Sequence, residues 1–223
     1  MVLGRQGDTV VFGDALLEEG ARALDLGDFV GARVYFEQNL ALRRRIEDRP
    51  GVGIALSRLG LLAVSEGNFS EAQHCLGEAL TIFKAVQWQD SHFVAEALCF
   101  LARAYLGLEQ DQQAGEMARQ SLLRFQQRKS RSGCWPCLLV CADLAAYRQQ
   151  WVRTARLMGA CETMRTALGV VLNKTEQAER RRLRASLTAA LGEARLAEEE
   201  RAGRVLPEED VIALALDEGS LAD

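Results

Sequence analysis

The sequence has few of the residues on which catalysis depends. It contains two histidines and three prolines among 223 residues, aromatic residues make up 6%, and the formal net charge is −4. No serine stands in a nucleophile-elbow setting and no carboxylate pair falls in a predicted pocket, so we expect no enzyme activity and no catalytic residue. A weak net charge provides no global field that attracts nucleic acid, so we expect no direct nucleic-acid binding.

Long hydrophobic runs are also missing. The longest apolar stretches, such as Ile54–Val64, are interrupted by Ser57 and Arg58 and are shorter than the ~20 residues that span a bilayer. The opening Met1–Thr9 lacks the apolar core of a signal peptide. We therefore expect a cytoplasmic protein with no membrane partner and no cofactor, in which the six cysteines are reduced.

The sequence does contain a period of about 40 residues. A small-residue anchor recurs at intervals of 40, 42 and 41, at Ala32, Ala72, Ala114 and Ala155. Each anchor follows a glycine or polar break in a helical pattern: Gly27–Asp28, Gly67–Asn68, Glu109–Asp111 and Gln149–Gln150. Such a period indicates stacked helix pairs, whose core becomes continuous only when several repeats stand side by side. Because proline is rare and alanine, leucine, glutamate and arginine are frequent in the later segments, the predicted fold is all-α.

The best-formed repeat has a glycine turn between two helices with small residues: Gly60, Ala63, Gly67, Ala72, Leu76, Ala79 and Leu80. This order resembles the tetratricopeptide repeat, with a spacing longer than the usual ~34 residues. The resemblance implies an αα-superhelix, or solenoid, in which Gly20 and Gly60 let paired helices approach closely. We expect an N-terminal extension over residues 1–13, four helix pairs over 14–169, and a C-terminal helix pair with a capping helix over 170–223.

A second resemblance lies near the end of the chain, in the residues Trp151, Ala155, Arg156, Leu157, Gly159, Ala160, Glu162, Arg165 and Gly169. They are similar to the closing repeats of bacterial signal-transduction ATPases of the maltose-regulator and LuxR type. This resemblance implies the sensor or interaction region of a transcriptional or signalling regulator. The sequence lacks the phosphate loop G-x-x-x-x-G-K-[ST] and a helix-turn-helix domain. We therefore expect either a detached sensor region or a relative that kept only the repeats.

The tetratricopeptide resemblance also implies a binding surface, because the first helix of each pair lines the concave groove of that fold. The corresponding residues here are Glu18, Ser57, Arg58, Glu96, Phe100, Arg103, Tyr147 and Arg148. Arginine and aromatic side chains are frequent anchors of protein interfaces, so we expect this groove to bind an acidic or C-terminal peptide of a protein partner. A small effector in the same groove, or a solvated face with ordinary ion pairs, are the alternatives.

Two other features indicate rival functions. Val10, Val11 and Phe12 suggest an apolar outer face on the first pair, which would favour a self-associating scaffold such as a homodimer. The basic cluster Arg180, Arg181, Arg182 and Arg184 would favour phosphate contacts. Glutamates surround that cluster on the same helix pair, so we interpret it as a solvated face with ion pairs.

Cys134, Cys137 and Cys141 form a cysteine cluster around Pro136. If Pro136 opens a helix, Cys134 lies near the positive end of that helix, where a thiolate is favoured. A thiol-based redox switch or a three-cysteine metal sensor is therefore a further alternative. A structural metal site requires a fourth ligand, and no histidine or further cysteine stands at a fixed spacing from these three. We therefore expect no metal site, and buried, unreactive cysteines are the competing interpretation.

Overall fold

The computed structural model describes the backbone of residues 2–172 and 174–217, and the side chains of residues 10–172 and 176–217. Within these ranges all regular secondary structure is α-helical, so the prediction of an all-α fold is confirmed. The helices are α1 (Val2–Asp25), α2 (Phe29–Arg45), α3 (Arg49–Ser65), α4 (Phe69–Ala85), α5 (His92–Gly107), α6 (Asp111–Gln127), α7 (Arg131–Tyr147), α8 (Trp151–Leu168), α9 (Lys174–Leu191), α10 (Glu193–Arg204) and α11 (Glu208–Leu216). Among the helices described, none combines the length and apolarity that crossing a bilayer requires.

The turns that end the first eight helices recur at a nearly constant spacing. Each contains one residue with positive φ, and these residues lie 20 positions apart except for one interval of 22: Gly27, Glu47, Gly67, Gln87, Glu109, Lys129, Gln149 and Gly169. A left-handed residue at this position stops the helix and lets the following N–H groups bond to its last carbonyls. Two successive intervals make up the 40-residue repeat.

After six of these eight turns the next helix begins two residues beyond the left-handed residue, and in several cases a side chain caps it. Asp28 accepts a hydrogen bond of 2.9 Å from the N–H of Gly31, and Asp48 accepts one of 3.0 Å from the N–H of Gly51. Such caps satisfy backbone donors that have no partner inside the helix. At both glycines a Cβ would collide with the capping carboxylate, so the observed cap geometry requires glycine at these two positions.

The chain forms two compact units, residues 1–110 with α1 to α5 and residues 111–223 with α6 to α11. In the first unit, Phe36 and Leu76 are fully buried. Phe36 packs on Gly20 and Leu76 packs on Gly60, so closely that a Cβ on either glycine would overlap the facing side chain. The prediction that these glycines permit a close helix approach is therefore confirmed.

The longer turn between α4 and α5 contains an aromatic stack. The ring centroids of Trp88 and Phe93 lie 5.9 Å apart, with an angle of 11° between the ring planes. The ring centroid of Phe83 lies within 6.3 Å of both. Stacked aromatic rings contribute about 0.5–1.5 kcal/mol beyond the area that they bury. The stack thus holds Trp88 in a turn that is three residues longer than the turns between the preceding helices.

In the second unit, α8 and α10 touch through their backbones. A Cβ on Gly159 would overlap the carbonyl oxygen of Glu200, and a Cβ on Gly203 would overlap that of Arg156. A hydrogen bond flanks this contact, in which the Thr163 hydroxyl donates to the Arg204 carbonyl at 3.2 Å. Glycines at both crossing points are what allows the two helices to come this close.

A buried arginine holds the last helix in place. Arg153 of α8 is 6% exposed. It donates to the carbonyls of Leu214 at 3.0 Å and Ala215 at 2.9 Å, and also to the side chain of Gln150 at 2.6 Å. A positive charge at these carbonyls suits the negative end of the helix dipole of α11. The three-part division of the chain that the sequence suggested stays a prediction.

Candidate functional site

In the first unit, α3 and α5 each leave one narrow stripe accessible to solvent. From Gly51 to Val64 and from Val94 to Ala104, all residues are buried except a few that lie three or four positions apart. That spacing places them on one side of each helix. We call these residues the α3–α5 face, which consists of Ile54, Arg58, Leu61, Glu96, Phe100 and Arg103.

The charges of the α3–α5 face are only partly neutralised within the molecule. Arg58 and Glu96 join the two helices through an ion pair in which Nη2 and Oε2 lie 3.2 Å apart. Arg103 is half-buried and forms no ion pair with any residue that the structure describes. The stripe of α5 therefore presents an aromatic ring and, one turn later, a guanidinium group that no described carboxylate neutralises.

Helix register relates these positions to α1. Glu18, Arg58 and Phe100 each stand nine residues before the left-handed residue that ends their helix. They therefore occupy equivalent positions in α1, α3 and α5. Glu18 is exposed, and no described residue pairs with it. Of the predicted groove residues, the structure thus brings together Arg58, Glu96, Phe100 and Arg103, and it places Glu18 at the same level of α1.

The other predicted groove residues lie elsewhere. Ser57 is 4% exposed, and its hydroxyl donates to the carbonyl of Gly53 at 3.0 Å, so this hydroxyl is used inside α3. Tyr147 and Arg148 belong to the second unit, at the end of α7. Tyr147 is 49% exposed, whereas Arg148 pairs with Asp111 through an Nε–Oδ2 distance of 3.1 Å. Their role in binding stays a prediction.

The second unit has a comparable stripe on α7, but α9 lies against it. Asp143 stands six residues before the left-handed Gln149, the position that Arg103 holds relative to Glu109. Arg180 of α9 reaches Asp143 with an Nη1–Oδ1 distance of 3.2 Å. The corresponding position of α7 is therefore occupied by the chain itself.

The cysteine cluster differs from the prediction. Pro136 is inside α7, which begins at Arg131, so the expectation that Pro136 opens a helix is wrong. Cys134 does lie in the first turn, but it is buried, and burial together with the neighbouring Cys137 raises the pKa of the Cys134 thiol to about 12. Desolvation thus outweighs the helix end, and the thiolate is disfavoured. In the described part of the chain, no three His, Cys, Asp or Glu residues are grouped so that they could hold a metal ion.

Thiol reactivity follows from this burial. Cys75 is half-buried, and the other cysteines are buried: Cys99, Cys134, Cys137, Cys141 and Cys161. With Ellman's reagent at pH 8 we expect no more than one thiol per chain to react in the native protein within minutes, and all six in guanidinium chloride. Rapid reaction of Cys134 in the native protein, identified by mass spectrometry, would contradict the buried-thiol interpretation.

In the part of the chain whose side chains are described, five of the ten exposed large apolar residues lie in the first helix pair. Val10, Val11 and Phe12 are 37%, 67% and 59% exposed, and Val30 and Val34 of α2 are 78% and 47% exposed. Isolated apolar residues are normal on protein surfaces, but several in one helix pair suit a contact surface. Self-association through this pair stays a prediction.

Comparisons with known proteins support the helical-repeat fold. Residues 15–85 match the family described as Tetratricopeptide repeat, so α1 to α4 contain a tetratricopeptide-repeat region. No curated protein matches this sequence. The crystal structure of BtubC (BKLC) from P. vanneervenii is similar, with a TM-score of 0.59 and 16% sequence identity, over 92% of this chain and 80% of that one. At this identity the similarity shows the fold alone. Tetratricopeptide repeats generally mediate protein–protein interaction, consistent with a binding module.

Proposed function

We propose that this chain is a protein-binding module whose α3–α5 face takes up an acidic or C-terminal segment of a partner. The observation that carries this proposal is Arg103, whose guanidinium group has no carboxylate partner among the described residues, on a stripe that also presents Phe100. Arginine and aromatic residues are enriched among the side chains that dominate binding energy in interfaces. The general role of tetratricopeptide repeats in protein–protein interaction points the same way.

The chemistry of the face suggests which segment would bind. A carboxylate of the partner can accept two parallel hydrogen bonds from Arg103. Ile54, Leu61 and Phe100 offer apolar surface to the residues next to that carboxylate. Glu96 keeps Arg58 occupied and repels a second acid placed close to it. We therefore expect a preference for one terminal carboxylate beside apolar residues over a highly acidic segment.

Charge reversal on the face tests the proposal. Short peptides from a random library, each with a free C-terminal carboxylate, are measured by fluorescence polarisation against the wild-type chain. The double variant Arg58→Glu, Arg103→Glu should bind the selected peptides at least about tenfold more weakly. Reversal of Arg103 replaces an attraction with a repulsion, and reversal of Arg58 adds a second negative charge beside Glu96. Its melting curve by circular dichroism should remain nearly unchanged, since both side chains are half-exposed.

The matched control reverses two other arginines, Arg45→Glu and Arg49→Glu, which are exposed and lie outside the α3–α5 face. This variant has the same net charge as the first, so any effect of net charge alone would be the same in both. It should keep peptide affinity within about twofold, because charges outside the face are screened by salt. Equal loss in both double variants would show a nonspecific charge effect and refute the site. Failure of the wild-type chain to select any peptide would refute peptide binding.

We further propose that the module serves as the sensor or interaction region of a bacterial transcriptional or signalling regulator. The support is the resemblance between the segment from Trp151 to Gly169 and the closing repeats of such regulators. In this proposal, occupancy of the face changes how neighbouring helix pairs stack and so biases an attached or partner effector domain. The complete gene tests the connection: a phosphate-loop ATPase in the same reading frame would support it, and a reading frame for an unrelated enzyme would contradict it.

A further inference from the structure

A cavity of about 360 Å³ lies in the second unit, among α7, α8, α9 and α10. Its volume falls within the range of about 300–1,000 Å³ that small-molecule sites occupy. No residue that the sequence indicated as a groove residue lines it. The sequence does indicate part of its wall, the arginines of α9, but as a solvated face.

The inner part of the cavity is apolar. Leu187 is 1% exposed and forms its most deeply buried wall, and Leu139, Met158 and Leu172 are half-buried around it. Trp135 is 8% exposed, and its indole N–H already donates to the carbonyl of Cys161 at 3.1 Å. The ring therefore offers a ligand apolar surface and no free donor. A ligand that fills this part needs an apolar body.

The charged side chains that line the cavity are five arginines and two glutamates: Glu162, Arg165, Arg180, Arg181, Arg184, Glu200 and Arg204. Most of these arginines already have carboxylate partners. Arg165 holds Glu162 through two bonds of 2.9 and 2.7 Å. Arg184 pairs with Glu200 and with Glu193, and Arg204 pairs with Glu200 at 3.6 Å.

The remaining two arginines of the cavity are Arg180 and Arg181. Arg180 pairs with Asp143 at 3.2 Å, and its guanidinium lies 3.3 Å from the sulfur of Met158. Arg181 is exposed and forms no ion pair with any residue in the described ranges. The cavity therefore combines an apolar interior with one guanidinium group whose charge no described carboxylate neutralises.

We propose that this cavity binds a small amphipathic monocarboxylate, such as a medium-chain aliphatic acid, with its chain among the apolar side chains and its carboxylate on Arg181. The planar guanidinium group matches the two oxygens of a carboxylate. Described carboxylates already pair with the other four arginines of the cavity, which leaves Arg181 for the ligand, so a single charge fits best. The site is independent of the proposed peptide-binding face, because no residue is shared between them.

Binding of octanoate to the wild-type chain tests the proposal. By isothermal titration calorimetry we expect octanoate to bind at least about tenfold more tightly than butanoate, since each buried methylene strengthens binding roughly fourfold. Octanoate should also bind several-fold more tightly than 1-octanol, which has the same chain length and no charge. These two comparisons separate the apolar contribution from the contribution of the guanidinium group.

A pair of neighbouring variants locates the charge. Arg181→Gln should weaken octanoate binding up to about fivefold, the upper end of what an ion pair at an exposed site contributes. Arg182→Gln is the matched control, because Arg182 is exposed on the same helix and does not line the cavity. It should leave octanoate affinity unchanged. Circular-dichroism melting of both variants checks that α9 remains folded.

Three results would overturn this inference. They are an absence of octanoate binding at millimolar concentration, equal affinity for octanoate and 1-octanol, and equal affinity of the two arginine variants for octanoate. None of them bears on peptide binding, which is measured on Arg58 and Arg103. Failure of the cavity proposal and failure of the proposed function are therefore distinguishable.

Discussion

Replacing Gly203 with alanine is expected to lower the free energy of unfolding by about 2 kcal/mol, within the usual range for overpacked cores. A new Cβ would overlap the carbonyl oxygen of Arg156. Backbone atoms cannot move aside as a flexible side chain can, so α8 and α10 must separate. Alanine gains about 1 kcal/mol over glycine from helix propensity, and the expected loss is what remains after that gain. Urea denaturation followed by circular dichroism measures the difference.

Gly77 provides the matched control for this prediction. It lies in α4, is exposed, and has open space where its Cβ would be. Gly77→Ala should therefore raise the free energy of unfolding by up to about 1 kcal/mol, the opposite sign for the same chemical change. If Gly203→Ala and Gly77→Ala shifted the transition in the same direction, the backbone contact between α8 and α10 would not be as close as described.

Replacing Arg153 with methionine is expected to cost about 3 kcal/mol, because hydrogen bonds to charged groups contribute roughly 1.5–3 kcal/mol each and two carbonyls lose their donor. Methionine keeps most of the side-chain length and removes the guanidinium group. The carbonyls of Leu214 and Ala215 would then remain at the end of α11 without that partner. Hydrogen exchange should become faster throughout α11, and urea denaturation should show the loss of stability.

Arg131 is the matched control, since it also links α11 to the rest of the unit. It pairs with Glu208 at 3.0 Å, but its side chain is 57% exposed. Exposed ion pairs contribute about 0–1 kcal/mol, so Arg131→Met should change stability by less than 1 kcal/mol and leave exchange in α11 nearly unchanged. Equal effects of the two substitutions would show that burial of Arg153 does not determine how α11 is held.

The sequence predicted the helix pairs because their apolar spacing and small residues are local features. Breaks inside each pair were also visible, at Gly27 and Gly67 as glycines and at Glu109 and Gln149 as polar residues. The sequence does not mark the turns between pairs. Their left-handed residues are Glu47, Gln87 and Lys129, and no glycine signals the positive φ. A left-handed conformation costs such residues roughly 1–2 kcal/mol, and the packing of the flanking helices supplies the compensation that local sequence does not show.

Binding surfaces were harder to predict than helices. The tetratricopeptide resemblance, applied position by position, indicates Arg58, Glu96, Phe100 and Arg103 as groove residues, and their role in binding stays a prediction. The cavity of the second unit depends on how α9 lies against α7 and α8, which brings Leu139 and Arg181 to one space although they are 42 positions apart. No repeat pattern includes α9, so its wall of arginines could be interpreted only as a solvated helix surface.

The constant spacing of the turns also limits how such a chain can change in length. One residue inserted within a helix rotates every following side chain by about 100° around the helix axis and moves buried groups into water. An insertion in a turn avoids that rotation. The segment between Gln87 and His92 is already three residues longer than the corresponding segment of most other turns, which shows where the fold has room for an insertion. Natural variation in length should therefore collect at the junctions of this protein, or come as whole duplicated pairs.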